Sequence, residues 1–319
     1  MLTSNDFSKK QIVFCFCNDG EHLCLQNDNL IIKGTDNNVK LQVSCYRLFL
    51  VFVIGRCSIT TPLLQKANKY GFSFAMMTTG FKLYSLIGAR KDGNTLLKKR
   101  QYAYDGIGIA RRIVANKIHN QTTVLKNIRD KNEYVKEAIS LLKEYLKKAE
   151  EADDLHQLMA YEGLASNLYF KNIFNNVIWR GRQPRLKRDY INSALDIGYT
   201  LLFNFIDAIC GSYGFDTYCG VLHTQFYMRK SLVCDLVEPF RVIIDTAIKK
   251  AINLKQIQEG DFLFVNQQYQ LKWEKSAEYA RFLMTPILER KNDIFDYIQR
   301  YYRAFMKRIP ENNYPFFQI

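Results

Sequence analysis

Glu162 occupies the middle of an apolar helical face. At about 100° per residue, Leu155, Leu158, Met159, Ala165, Ser166 and Tyr169 of the stretch 155–170 fall on one side, and Glu162 falls among them. An ionised carboxylate turned inward costs several kcal/mol unless a cation or hydrogen-bond donors compensate it. The residue therefore needs a partner: an internal arginine, or a metal ion or substrate in a catalytic role.

A second constellation follows downstream. Asp235 and Glu238 are spaced i, i+3, so on a helix opened by Ser231 they share one face, among apolar Leu232, Val233, Leu236 and Val237. Two carboxylates held together repel unless a cation lies between them. His223 follows the apolar pair Val221-Leu222 a short way upstream. Taken alone, an acidic pair at this spacing is usually a solvated helix face and a lone histidine usually structural, so the meaning depends on the fold bringing these groups to Glu162.

The third cluster is basic. Arg180, Arg182, Arg185, Lys187 and Arg188, broken by Gly181 and Pro184, read as a loop without an acidic residue. Guanidinium forks match phosphate oxygens bidentately, and the alternative is an ordinary solvated loop. The whole chain favours the first: 45 Lys plus Arg against 31 Asp plus Glu give 319 residues a net charge of +14. Lys230 and Arg241, flanking the acidic pair, join the loop as expected DNA contacts.

Other chemistries are excluded by what is missing. There is no GxxxxGK[ST], GxGxxG or GxSxG, against P-loop, dinucleotide and serine-hydrolase readings. Eight cysteines contain no CxxC pair and sit mostly among apolar neighbours, as reduced core thiols do. The longest unbroken apolar run, 48–54, is seven residues, whereas a membrane span needs about 20. With no apolar stretch of signal-peptide length at the start, the expected compartment is the cytoplasm.

The elements that must position these residues fall into two parts. Runs 11–17, 22–26, 30–33 and 39–54 read as strands, with turn signals at Asn18-Asp19-Gly20 and Asn27-Asp28-Asn29. The stretch 61–71 reads as a helix, with Pro62 at its start and Gly71 at its end. From Leu96 onward the periodicity is helical. The expected fold is α+β: an N-terminal β-sandwich-like domain over 1–93 with one short helix, and an all-helical catalytic domain over 97–319, packed directly together.

The order of pieces carries a resemblance. Tyr161-Glu162-Gly163 with Tyr169-Phe170, Arg182-Gln183-Pro184, Asn192-Ser193-Ala194-Leu195 with Gly198-Tyr199, then His223 and the segment from Asp235 to Arg241, resemble the CRISPR-associated integrase family, the Cas-one adaptation nucleases. Ser58-Ile59-Thr60-Thr61-Pro62-Leu63-Leu64 and Tyr70-Gly71 look like that family's β domain, and the N-terminal wording is closest to integrases of type V systems. The resemblance implies a homodimer that works on double-stranded DNA with a small Cas-two partner. It also implies a divalent metal held by Glu162, His223 and Glu238, with Asp235 beside them as a further catalytic group. Many members have Asp where Glu238 stands, so either acid of the pair could be the direct ligand.

Carboxylates and one imidazole form a largely hard-oxygen set suited to Mg²⁺ or Mn²⁺. The expected activity is metal-dependent endonuclease and integrase chemistry, in which a DNA 3′-hydroxyl attacks a phosphodiester and short fragments enter a repeat array. His223 is then a ligand or a proton acceptor. The alternative is a non-catalytic basic DNA-binding scaffold of the same fold. Self-association is expected through the β domain, because the apolar run 48–54 lies there.

Overall fold

The computed structural model describes residues 2–129, 131–175, 177 and 179–319. The N-terminal part runs α1 (Ser4–Ser8), β1 (Gln11–Cys17), β2 (His22–Gln26), β3 (Asn29–Lys33), β4 (Val39–Ser44), β5 (Leu48–Gly55), β6 (Ser58–Ile59), α2 (Thr61–Tyr70), β7 (Ser73–Met77) and β8 (Leu83–Gly88). Its strands form two four-stranded sheets, ordered β1-β5-β7-β8 and β4-β3-β2-β6. The first is parallel except for β8, and the second contains the antiparallel hairpin β2–β3. The expected strand 39–54 is two strands, because a 3-10 turn at Cys45–Arg47 breaks the run and sends each half to a different sheet. Gly71 closes α2 in the left-handed region at φ 76°, a conformation glycine adopts without steric cost.

β5 is buried along its whole length, between β1 and β7. Its side chains alternate. Val51 and Val53 pack with Leu23, Leu30 and Leu63 between the two sheets, whereas Leu50, Phe52 and Ile54 enter the core of the helical part. The run read as a self-association surface is therefore interior on both faces and cannot mediate dimerisation.

The rest of the chain is mainly helical: α3 (Thr95–Tyr102), α4 (Gly108–Lys126), α5 (Glu133–Glu150), α6 (Leu155–Ile173), α7 (Tyr190–Tyr213), α8 (Ser231–Val237), α9 (Arg241–Asn253), α10 (Ser276–Glu289) and α11 (Lys291–Lys307). It is not all helix. Strands β9 (Phe262–Val265) and β10 (Gln268–Leu271) form an antiparallel hairpin whose turn residues Asn266 and Gln267 both have positive φ. The architecture is α+β, a β-rich N-terminal part followed by a helical C-terminal part. Among the described residues α7 alone is long and apolar enough to cross a membrane, but 83% of that window is buried inside the fold, so it is a core helix. A Cβ at Gly198 would meet Ile244 Cγ2 at 2.4 Å, and this missing side chain lets α7 approach α9 closely.

Candidate metal and nucleic-acid site

Three helical elements converge on one buried ammonium. Lys117 on α4 contacts Glu162 Oε1 from α6 and lies 2.6 Å from Glu238 Oε2, in the 3-10 turn Glu238–Phe240 that links α8 to α9. Lys117 is 9% exposed and Glu238 6%, whereas Glu162 retains 24%. Glu162 also accepts a hydrogen bond from Ser166 Oγ at 2.9 Å, and Glu238 one from Arg241 Nε at 3.0 Å. The inward turn of Glu162 is as the periodicity requires, although Met159 points outward at 44% exposure.

Burial works against the charge of Lys117, but Glu162 and then Glu238 outweigh it and hold its pKa above the ordinary lysine value. Burial likewise pushes the Glu238 carboxyl up, yet the Arg241 and Lys117 charges dominate and hold it down at about 2. His223 adds a smaller pull of the same sign, so its imidazole is within electrostatic reach of Glu238. A depressed carboxyl stabilises the fold above its unfolded pKa, and that contribution fades as pH falls from about 4.5 toward 2. Glu238→Gln should therefore flatten the acid limb of the stability curve in this window; a limb of unchanged steepness in urea titrations at pH 2–5 would show that Glu238 is not the group responsible.

Asp235 is placed differently from its sequence neighbour Glu238. Its side chain is fully buried. Oδ2 accepts the N–H groups of Val221 at 2.6 Å and Leu222 at 3.0 Å; Oδ1 accepts the N–H of His223 at 2.9 Å and lies 2.7 Å from His223 Nδ1. Gly220 makes this nest possible, since a Cβ there would lie 2.6 Å from Asp235 Oδ2. With its oxygens engaged four times, Asp235 orients the loop and the imidazole. A carboxylate facing Nδ1 fixes the proton on that nitrogen and leaves Nε2 as the free lone pair.

Behind the site lies a second buried carboxyl. Asp245 accepts from Tyr169 Oη at 3.0 Å and from Tyr199 Oη, and burial pushes its pKa up to about 6 against those hydrogen bonds. The guanidinium of Arg241 sits 4.7 Å from the Tyr199 ring centroid. Asp245 thus braces the ring that supports Arg241, which in turn holds Glu238. Sequence reasoning placed Tyr169 on the helix face of Glu162 and quoted Tyr169 and Tyr199 as parts of the resemblance, without a role for either, and did not single out Lys117 or Asp245. The signal for Lys117 was the one used for Glu162, a charged side chain among apolar residues of α4.

Glu162, Lys117, Glu238 and Arg241 line a cleft of about 1570 Å³ whose other wall is the basic loop, including Arg180, Arg182 and Arg185. His223 and Asp235 are not on its lining. Three of the six cations expected to contact DNA are engaged within the protein. Arg182 pairs with Asp196 at 2.5 Å and Asn192 at 2.9 Å, Lys230 pairs with the buried Asp207, and Arg241 holds Glu238. The acids facing Arg182 and Lys230 lie 14 and 23 residues away, whereas Glu238 is three residues from Arg241, and all three cations have a structural task. Among the described residues Arg180, Arg185 and Arg188 are exposed and have no carboxylate at ion-pair distance. Replacing those three together by Ala should weaken DNA binding at every sequence and lower the slope of log affinity against log salt by about 0.9 for each phosphate no longer neutralised. An unchanged slope in fluorescence anisotropy would leave them a solvated face.

Among the described residues no group of three or more His, Cys, Asp and Glu side chains is clustered tightly enough to hold a metal ion as it stands. The donor chemistry nevertheless fits a hard dication. Glu162 and Glu238 already meet at one cation, and Glu238 Oε2, at ion-pair distance from Lys117, has no aligned hydrogen-bond donor.

The fold is shared with solved structures. A Cas1 protein from Thermotoga maritima superposes with a TM-score of 0.81 at 19% identity, covering 93% of this chain and 97% of that one. A casposase bound to integration product gives 0.79 at 18% identity, covering 97% and 94%. The chain also matches part of a Cas6-RT-Cas1–Cas2 complex with a TM-score of 0.82 at 21% identity, covering 97% of this chain but spanning only 36% of that longer one. The chain belongs to the CRISPR associated protein Cas1 family, whose profile matches residues 15–283. Among its relatives are a CRISPR-associated endonuclease Cas1 from Leptospira interrogans, 35% identical over 52% of this chain and 70% of its own, and one from Thermodesulfovibrio yellowstonii, 29% identical over 67% and 71%.

Proposed function

We propose that the chain is a metal-dependent endonuclease and integrase of CRISPR adaptation, joining short DNA fragments into a repeat array. The observation that carries this reading is the meeting of Glu162 and Glu238 at one buried cation on the wall of a basic cleft. The endonuclease names of its relatives and the integration product bound to a structural neighbour support it.

In this reading Glu162, Glu238 and, where it ligates, His223 Nε2 would hold Mg²⁺ or Mn²⁺, with Lys117 and Arg241 steadying the two carboxylates. A bound divalent ion would supply Lewis-acid stabilisation of the charge that develops on the phosphate and departing oxygens. His223, its Nδ1 proton fixed by Asp235, either ligates through Nε2 or takes the proton of the attacking 3′-hydroxyl there. Arg180, Arg185 and Arg188 hold the DNA backbone without reading sequence. No covalent enzyme intermediate is needed, since the attacking 3′-oxygen forms the new phosphodiester as the old 3′-oxygen leaves. The functional assembly in this reading is a homodimer on double-stranded DNA with a small Cas2 partner, consistent with the Cas1–Cas2 complexes among the structural neighbours.

The test is a gel assay joining a labelled fragment to a repeat-containing duplex with Mn²⁺, Mg²⁺ or EDTA, and with a 3′-deoxy fragment. Products are expected only with metal and a 3′-hydroxyl. Binding without cleavage or joining under every condition would return the chain to a scaffold.

A further inference from the structure

Between His223 and α8 the chain carries a feature that metal chemistry does not use. Phe226, Tyr227 and Met228 are consecutive and 71%, 87% and 71% exposed. Single exposed apolar side chains are ordinary, but three in a row are unfavourable in water unless something covers them. A less exposed run at 263–265 lies on β9, away from His223 in the chain.

The base of this loop is firmly tied. Asp235 binds the backbone of residues 221–223, and the Thr224 carbonyl accepts from Arg229 and, at 3.2 Å, from Ser231 Oγ. Arg229 N–H donates to the Phe226 carbonyl at 3.0 Å, and the Arg229 guanidinium lies 5.9 Å from the Phe226 ring centroid. Met228 is held at φ 60°, a left-handed conformation that a non-glycine residue adopts only when its surroundings impose it. The tip is thus a presented platform.

Its occupant follows from charge and reach. Residues 224–230, Thr-Gln-Phe-Tyr-Met-Arg-Lys, contain no acid, and Arg229 has no carboxylate at ion-pair distance among the described residues. At roughly 3.3–3.6 Å per residue, Phe226 lies within about 11 Å of His223 along the chain, a span of a few nucleotides. Aromatic rings beside an uncompensated guanidinium suit nucleobases with phosphates alongside, and every base has a π-face. Resting on the strand-transfer reading above, we propose that the Phe226–Tyr227–Met228 tip is a base-stacking site, engaging unpaired bases of the DNA next to the phosphodiester under attack.

The experiment compares the full chain with Phe226→Ala/Tyr227→Ala and Phe226→Tyr/Tyr227→Phe on two DNAs: a duplex with unpaired 2-aminopurine-containing bases beside the joining position, and its fully paired counterpart. Wild type should quench the 2-aminopurine and bind the unpaired DNA the tighter. The alanine pair should lose the quench and roughly tenfold or more of that affinity while binding the paired duplex unchanged, and the aromatic exchange should retain both. Melting curves should coincide, because the side chains are exposed. Equal quench and affinity in all three proteins would overturn the inference and leave the strand-transfer reading standing, as would an alanine pair impaired only in retaining a partner protein. Failure of wild type to bind either DNA would remove both.

Discussion

Glu162→Gln should lose strand transfer and cleavage by on the order of 10²–10³-fold or more, with DNA affinity and fold retained. The side chain contacts Lys117 and Ser166 but is partly solvent-accessible, so an amide of the same size leaves little strain. Lys117 keeps Glu238 as a partner in the variant, so its ammonium is not stranded in the interior. In the proposed reading DNA affinity resides chiefly in the exposed arginines of the basic loop, which this substitution leaves in place. Rates are to be read from single-turnover gels, and affinity from anisotropy in the same buffer. Wild-type joining in the variant would remove Glu162 from the mechanism, and a parallel loss of DNA binding would make it an architectural residue.

Asp235→Ala should have the largest effect on stability, about 3–5 kcal/mol, together with loss of activity. Removing its carboxylate leaves three backbone N–H groups and the His223 imidazole without their acceptor. His223→Ala, by contrast, should impair joining with little change in unfolding, because the loop nest on Asp235 remains and the imidazole is 27% exposed. The contrast is measured by urea midpoints for the two variants. If Asp235→Ala unfolds where wild type does, the nest is not what holds the loop.

The sequence disclosed elements whose signals are local. Strands 11–17 and 22–26 and the helix ending at Gly71 have alternation, turn residues and a terminal glycine within a few positions. The hairpin 262–271 was hidden in surrounding helical periodicity, although Asn266 could have marked its turn. At the site, the inward carboxylate of Glu162 was visible because burial of charge is a property of one helix face. Its partner was not, since Lys117 lies on another helix. The partner of Arg182 was hidden for the same reason: its neighbours in the loop contain no acid, but Asp196 faces it across the start of α7. Polar groups reveal that they need a partner, and only the fold says which one they have.

The burial of β5 on both faces bears on how the molecule can move. One row of its side chains belongs to the sandwich and the other to the helical core that also receives Phe7, Phe49, Met77 and Phe81. Bending between the halves at β5 would pull apart a packed interior, so this strand opposes a hinge there. The two parts should melt together, and pieces cut near residue 93 would each expose the apolar face that the other covers. In the proposed strand-transfer reading, the compliance needed to bring two DNA ends to two target strands would come from the nucleic acid and from contacts between separate chains.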